Sequence, residues 1–292
     1  MPKPSNKTQA ILLVICTAFF FATMNTFARL AGDLPTMQKA FFRNMIAMFF
    51  AAALMWRQRD MLQQNLPIIR QHTGGLILRS IFGTMGVICN YYAVDHMLLA
   101  DASILNRLSP FITVFLCWLF LHEKIDRVQA ASIAAAFIGA LCIIRPGFGA
   151  LTSFPALIAT LGGFGAGAAY TMVRYLTGHG VHKPFIIFFF SAFSCLILLP
   201  QLILDYHPMT GTQFIFLLLA GFFAAGGQIC LTYAYALAPS REISVFDYAI
   251  VIFAAIYGFL LFDQIPDVLS FLGYAIIIGV GILMFFHNNQ TA

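Results

Sequence analysis

Apolar runs of roughly twenty residues alternate along the chain with short segments rich in charge, Pro and Gly. A helix needs about twenty mostly apolar residues to cross the hydrocarbon core of a bilayer. The runs therefore predict ten spans, at 9–31, 38–56, 74–94, 102–121, 129–145, 154–174, 184–204, 213–236, 243–262 and 267–286. The longest connection, 57–73, is too short for a soluble domain. The first run exceeds the roughly 7–15 residues of a signal-peptide core, so it reads as a retained helix. The predicted fold is an all-α polytopic membrane protein.

Composition agrees with this reading. Hydrophobic residues make up 61% of the chain and charged residues 9%, against about 25% charged in soluble domains. The net charge of +5 is scattered through short loops, which excludes a nucleic-acid interface. It does orient the chain, because cytoplasmic loops of membrane proteins carry excess Lys and Arg. With a cytoplasmic N-terminus, inner segments hold Lys3, Lys7, Arg57, Arg59, Arg70, Lys124, Arg127, Arg174, Lys183 and Arg241, and outer segments only Arg29, Lys39 and Arg145. Both termini are thus expected in the cytoplasm, and the membrane is expected to be a bacterial inner (plasma) membrane. The six cysteines lie in apolar runs without a CxxC pair, so neither a disulfide framework nor a metal site is expected.

The chain repeats itself. Gly86, Cys89, Tyr92 and Ala93 of span 3 recur as Gly227, Cys230, Tyr233 and Ala234 of span 8. Leu121, Glu123 and Ile125 after span 4 match Leu261, Asp263 and Ile265 after span 9, and Gly139 matches Gly279. The offset stays near 140 residues, which divides the chain into halves at 1–147 and 148–292 with five spans each. Five is odd, so the second half enters the membrane from the opposite face. Inverted repeats of this kind serve alternating access around a site between the halves.

The motifs resemble the drug/metabolite transporter superfamily in its EamA-type branch. The resemblance is carried by Phe41, Phe42 and Arg43, by the run Arg79 to Thr84, and by Leu99 to Ala102. Pro110, Leu121 to Glu123, Arg145 to Gly147, Tyr235 to Pro239 and Phe246 to Tyr248 complete it. It implies a central cavity lined mainly by spans 1, 3, 4, 6, 8 and 9, with spans 5 and 10 peripheral. It leaves the substrate open, since the branch is linked to amino acids, amines, nucleosides and vitamins. His122 departs from the pattern, where the family more often has Gly.

Charge inside a span costs roughly 2.5–3.5 kcal/mol on insertion scales and marks function by default. Arg43 and Arg79 lie near span ends, where a long side chain reaches the interface, so they read as anchors. Arg107 and Asp247 are equivalents under the repeat. Their depths along straight helices place them on the outer and inner approaches of one pathway rather than in a pair. Pro110 cannot donate to the carbonyl of Asn106, which marks a kink or a cavity there. Asn25, Asn90, Tyr92, Asn106, Arg107, Tyr170, Gln228, Tyr233, Asp247 and Tyr248 form the candidate substrate site, with interhelical contacts as the alternative role for the amides and the membrane interface for the tyrosines. In span 6, Gly163 and Gly167 form a GxxxG face for close helix approach.

Function follows from these elements. All seven histidines fall in loops or tails, so Asp247 is the candidate proton carrier. No HExxH, GxSxG, paired-carboxylate or phosphate-cradling motif is present, so no catalytic residue and no cofactor is expected. The expected protein is a secondary transporter of a small organic metabolite, an exchanger or proton-coupled, acting as a monomer or homodimer. An intramembrane enzyme or a non-transporting scaffold is the alternative.

Overall fold

A computed structural model describes residues 5–96, 105–144, 154–262 and 268–290. The predicted features at 97–104, 145–153 and 263–267, among them the motifs at 99–102 and 145–147, the boundary between the halves and Asp263, lie outside the described residues. Every described regular element is helical. The first half holds α1 (Asn6–Leu30), α2 (Thr36–Arg57), α3 (Arg59–Gln71), α4 (Thr73–His96), α5 (Ser109–Leu121) and α6 (Arg127–Ile144). The second holds α7 (Phe154–Gly178), α8 (Lys183–Leu204), α9 (Gly211–Leu237), the single turn α10 (Ser240–Ile243), a 3₁₀ turn (Ser244–Tyr248), α11 (Ala249–Phe262) and α12 (Val268–Gln290). Among the described residues, six stretches, counting α10 to α11 as one, are long and apolar enough to cross a membrane, and α5 and α6 are shorter apolar helices. The protein is an all-α polytopic membrane protein.

Local chemistry sets the ends. Ser5 caps α1 by accepting from the Thr8 amide at 3.2 Å. Thr210 and Gln213 form a reciprocal capping box at the start of α9. Gly32 and Gly180 take positive φ where α1 and α7 stop, a conformation that costs Gly little. The connection 57–73, read as a loop, instead contains α3. Its apolar residues Leu62, Ile68 and Ile69 pack on the core, while Asp60, Gln64 and Arg70 stay exposed. Too polar to span, it was invisible to a search for continuous apolar runs.

Packing follows a pattern of exchange. The most extensive contacts join α1 to α9, α4 to α7, α2 to α8, and α6 to α12, followed by α9 with α2, α5 with α7, and α1 with α11. Exchanging the first five spans for the last five turns α1 on α9 into α7 on α4, and α5 on α7 into α11 on α1. The pairs α2 on α8 and α6 on α12 map onto themselves. Each half thus buries its apolar faces mostly against the other. Small residues permit this: a Cβ on Gly227 would meet the Phe21 ring at 2.5 Å, and one on Gly163 would meet the Leu105 carbonyl oxygen at 2.6 Å. The outward faces keep Phe49, Trp118, Leu196 and Phe286 exposed, as a lipid-facing surface requires.

Candidate functional site

The fourth span of each half is broken. α5 starts only at Ser109, after a turn in which the Leu108 amide donates to the Leu105 carbonyl at 3.2 Å. Pro110 therefore sits in the first helical turn, where its missing N–H is harmless, rather than kinking a continuous helix. In the other half, α10, the 3₁₀ turn and α11 replace one straight span. Such an interruption inside a helix often marks a functional hinge. Arg107 lies in the first break and Asp247 in the second. The two are tied together, since the Tyr248 hydroxyl donates to the Arg107 carbonyl at 2.9 Å.

Between the breaks is a cavity of about 130 Å³. Four charged side chains line it: Arg43, Arg79, Arg107 and Asp247. Asn25, Asn90, Asn106, Tyr170 and Gln228 supply its polar wall, and Phe21, Met24, Phe190 and Ile250 part of its apolar one. Asn106 donates from Nδ2 to Asn90 Oδ1 at 2.7 Å. Arg79 is 3% exposed. Its guanidinium lies 4.0 Å over the Phe190 ring, and Nη2 donates to Gln228 Oε1 at 3.3 Å. Nε and Nη1 of the same group have no partner. Gly83, one turn on, leaves room for it, because a Cβ there would overlap Nη1 and approach the Phe190 ring to 2.7 Å. Among the described residues, none of the four charges belongs to an ion pair.

Several expectations change. Arg107 and Asp247 do not stand on separate approaches but on one cavity. Depth counted at 1.5 Å per residue assumes an unbroken helix, and neither span is unbroken. Arg43 and Arg79, read as anchors, also face this cavity; the signal in the sequence was Gly83 placed four residues after Arg79. Through Arg43 and Phe190, spans 2 and 7 join the wall that the resemblance assigned mainly to six others. Tyr92 and Tyr233 are not part of it: Tyr92 stacks on His96 at 4.0 Å, and Tyr233 sits under Lys183 Nζ at 4.8 Å. Tyr248 is fully buried and reaches Arg107 through its hydroxyl, outside the cavity wall.

One end of the bundle is closed by polar contacts, several of them between the halves. Arg174 Nε donates to Glu123 Oε1 at 2.8 Å, and its Nη1 to the Tyr235 carbonyl at 2.8 Å. Glu123 Oε2 accepts from the amide and hydroxyl of Ser240, at 3.1 and 2.9 Å. Lys7 with Glu242 at 3.6 Å, and Arg241 Nη1 with the Lys124 carbonyl, lie at the same end. His122 aims Glu123 by taking φ of 54°, the one positive φ of a non-Gly residue among the described residues. That conformation explains why Gly suits this position. Nearby, Asp126 accepts from the Gln129 amide at 2.7 Å and contacts His287 at 2.8 Å. Partial burial works to raise the Asp126 carboxyl, but the bond to His287 and the backbone amides hold it below the usual aspartate range.

The model of the EamA-like transporter family matches this chain twice, at residues 8–145 and 153–286. The chain belongs to the EamA-like transporter family. Among its relatives is the pseudopaline exporter CntI of Pseudomonas aeruginosa, 30% identical over 270 residues that cover 92% of this chain and 93% of the exporter. A riboflavin transporter of Brucella anthropi is 26% identical and covers 96% and 99%. Human solute carrier family 35 member G1 is 24% identical, covering 88% of this chain and 73% of that one. A solved crystal structure shares the fold with a TM-score of 0.81 at 14% identity, over 97% of this chain and 99% of that one. This EamA-family chain is an integral membrane transporter, and a small molecule is its substrate.

Proposed function

We propose that the protein is a secondary transporter that moves an organic metabolite by alternating access between the halves 1–147 and 148–292. The observation that carries this is the cavity where two broken helices present Arg107 and Asp247 without ion-pair partners among the described residues. Discontinuous helices with free ends at a site between repeats are the recurring construction of secondary transporters. Asn25, Asn90, Asn106, Arg107, Tyr170, Gln228 and Asp247 contact the cargo, joined by Arg43 and Arg79. At about 130 Å³ the cavity is smaller than the roughly 300–1,000 Å³ of typical organic-ligand sites, so loading requires the halves to separate. The Glu123–Arg174 end then faces the cytoplasm with both termini, in a bacterial inner membrane, and opens when the cavity turns inward.

Asp247 is the coupling residue in this reading, as the carboxylate among the cavity charges. Purified protein in proteoliposomes should show saturable, solute-dependent flux. Asp247→Asn should leave solute binding measurable while flattening the pH dependence of uptake. Unchanged pH dependence in that variant removes Asp247 from coupling; flux that never saturates removes the transporter mechanism itself.

A further inference from the structure

We infer that the cavity recognises a solute carrying more carboxylate than ammonium groups, with Arg79 as the docking point for one carboxylate. This rests on the transporter reading and specifies its cargo. Three guanidiniums face one carboxylate on the cavity wall. Charge taken out of water without a partner is costly, and Arg79 is buried, so an excess of cations around a small cavity calls for an anionic occupant. Arg79 sharpens the chemistry. Its Nη2 is held by Gln228 and its flat face by Phe190, while Nε and Nη1 are buried without a partner. Nε–H lies on the edge shared with Nη2 and Nη1 on the other edge, so each offers a separate charge-assisted hydrogen bond to a carboxylate oxygen. A satisfied structural arginine looks different here: Arg174 has a carboxylate on Nε and a carbonyl on Nη1.

Asp247 on the same wall gives room for one ammonium group, which makes an amino-dicarboxylate a better fit than a plain monocarboxylate. Asn90, Asn106 and Tyr170 offer neutral hydrogen bonds to the remaining oxygens. The cation-binding alternative would need the aspartate to outweigh three arginines.

The test is a thermal-shift series on the purified full-length protein with size-matched probes: glutarate, glutamate, pentanoate, pentanol and cadaverine. Stabilisation should be largest for the two dicarboxylates, smaller for pentanoate, and absent for pentanol and cadaverine. Arg79→Gln should weaken the dicarboxylate response by about tenfold or more in apparent affinity, the scale of a lost charged hydrogen bond, while Arg79→Lys retains part of it. The ordering among probes on the unmodified protein decides the matter even where a variant folds poorly. Stabilisation by cadaverine but not by dicarboxylates, or no dependence on probe charge, overturns the inference. Proteoliposome flux separates the two layers. Saturable amine flux without a carboxylate response overturns the cargo class and leaves the transporter reading standing. Dicarboxylate binding with no flux of any probe supports the site and counts against the transport cycle.

Discussion

Two clusters in this molecule use the same ingredients and arrange them oppositely. At the closed end, Arg174 and Glu123 meet at 2.8 Å, and their remaining bonds go to Ser240 and the Tyr235 carbonyl. In the cavity, Arg43, Arg79, Arg107 and Asp247 share one wall without a single ion pair among the described residues. A buried charge whose partners are complete fixes geometry. One whose partners are withheld is held at a cost that an incoming solute relieves. The first cluster therefore reads as a clasp between the halves and the second as a receptor.

The comparison breaks most visibly at the clasp. Glu123→Ala strands Arg174 and the Ser240 amide, and it should lower stability by about 3 kcal/mol, measured by unfolding in detergent. A loss well under 1 kcal/mol would mean the clasp contributes no more than a surface pair. Next comes the seam beside the cavity. Gly163→Ala pushes a methyl against the Leu105 carbonyl, and overpacking of this kind should cost about 1–3 kcal/mol. Because Leu105 opens the turn that carries Arg107, solute affinity should fall with it.

Smaller effects sharpen the clasp. His122→Gly relieves a left-handed backbone that a side chain adopts at a cost of roughly 1–2 kcal/mol. Part of that gain is lost to the freer unfolded chain. The net expectation is a gain of about 0.5–1 kcal/mol, read as a higher melting temperature. His287→Ala removes a partner of the half-exposed Asp126 and should cost under ~0.5 kcal/mol at pH 7. Since the Asp126 carboxyl is held low, its contribution is complete above the ordinary aspartate value of about 3.9 and fades as pH falls through the depressed one. Wild type and variant should therefore converge in acid.

The spans were legible in the sequence because a bilayer demands long apolar runs; the proposed halves rest on motifs that keep one offset. α3 was not, since a short amphipathic helix at the end of a bundle leaves no continuous apolar run. Nor was the common cavity of Arg107 and Asp247. Depth was read along straight helices, and the interruptions at Leu105 to Leu108 and at Ser244 to Tyr248 carry no strong local signature beyond Pro110. The inward turn of Arg79 was hidden for a related reason. Sequence distance from a span end cannot tell a side chain that reaches outward from one that Gly83 allows to fold inward against Phe190. Seven of the ten proposed site residues face the cavity, whereas Tyr92, Tyr233 and Tyr248 do not, because tyrosine suits helix ends and buried hydrogen bonds as readily as a binding wall.

The most direct test compares Arg107→Gln with wild type in proteoliposomes, with melting temperature and saturable solute flux read on the same preparations. If the unpaired cavity charges serve the cargo, flux at low solute concentration should fall by roughly 10–100-fold, the scale of a lost charged hydrogen bond, while the melting temperature stays the same or rises. A variant that melts early in proportion to its lost flux would show instead that Arg107 holds the fold, and it would contradict the division between clasp and receptor.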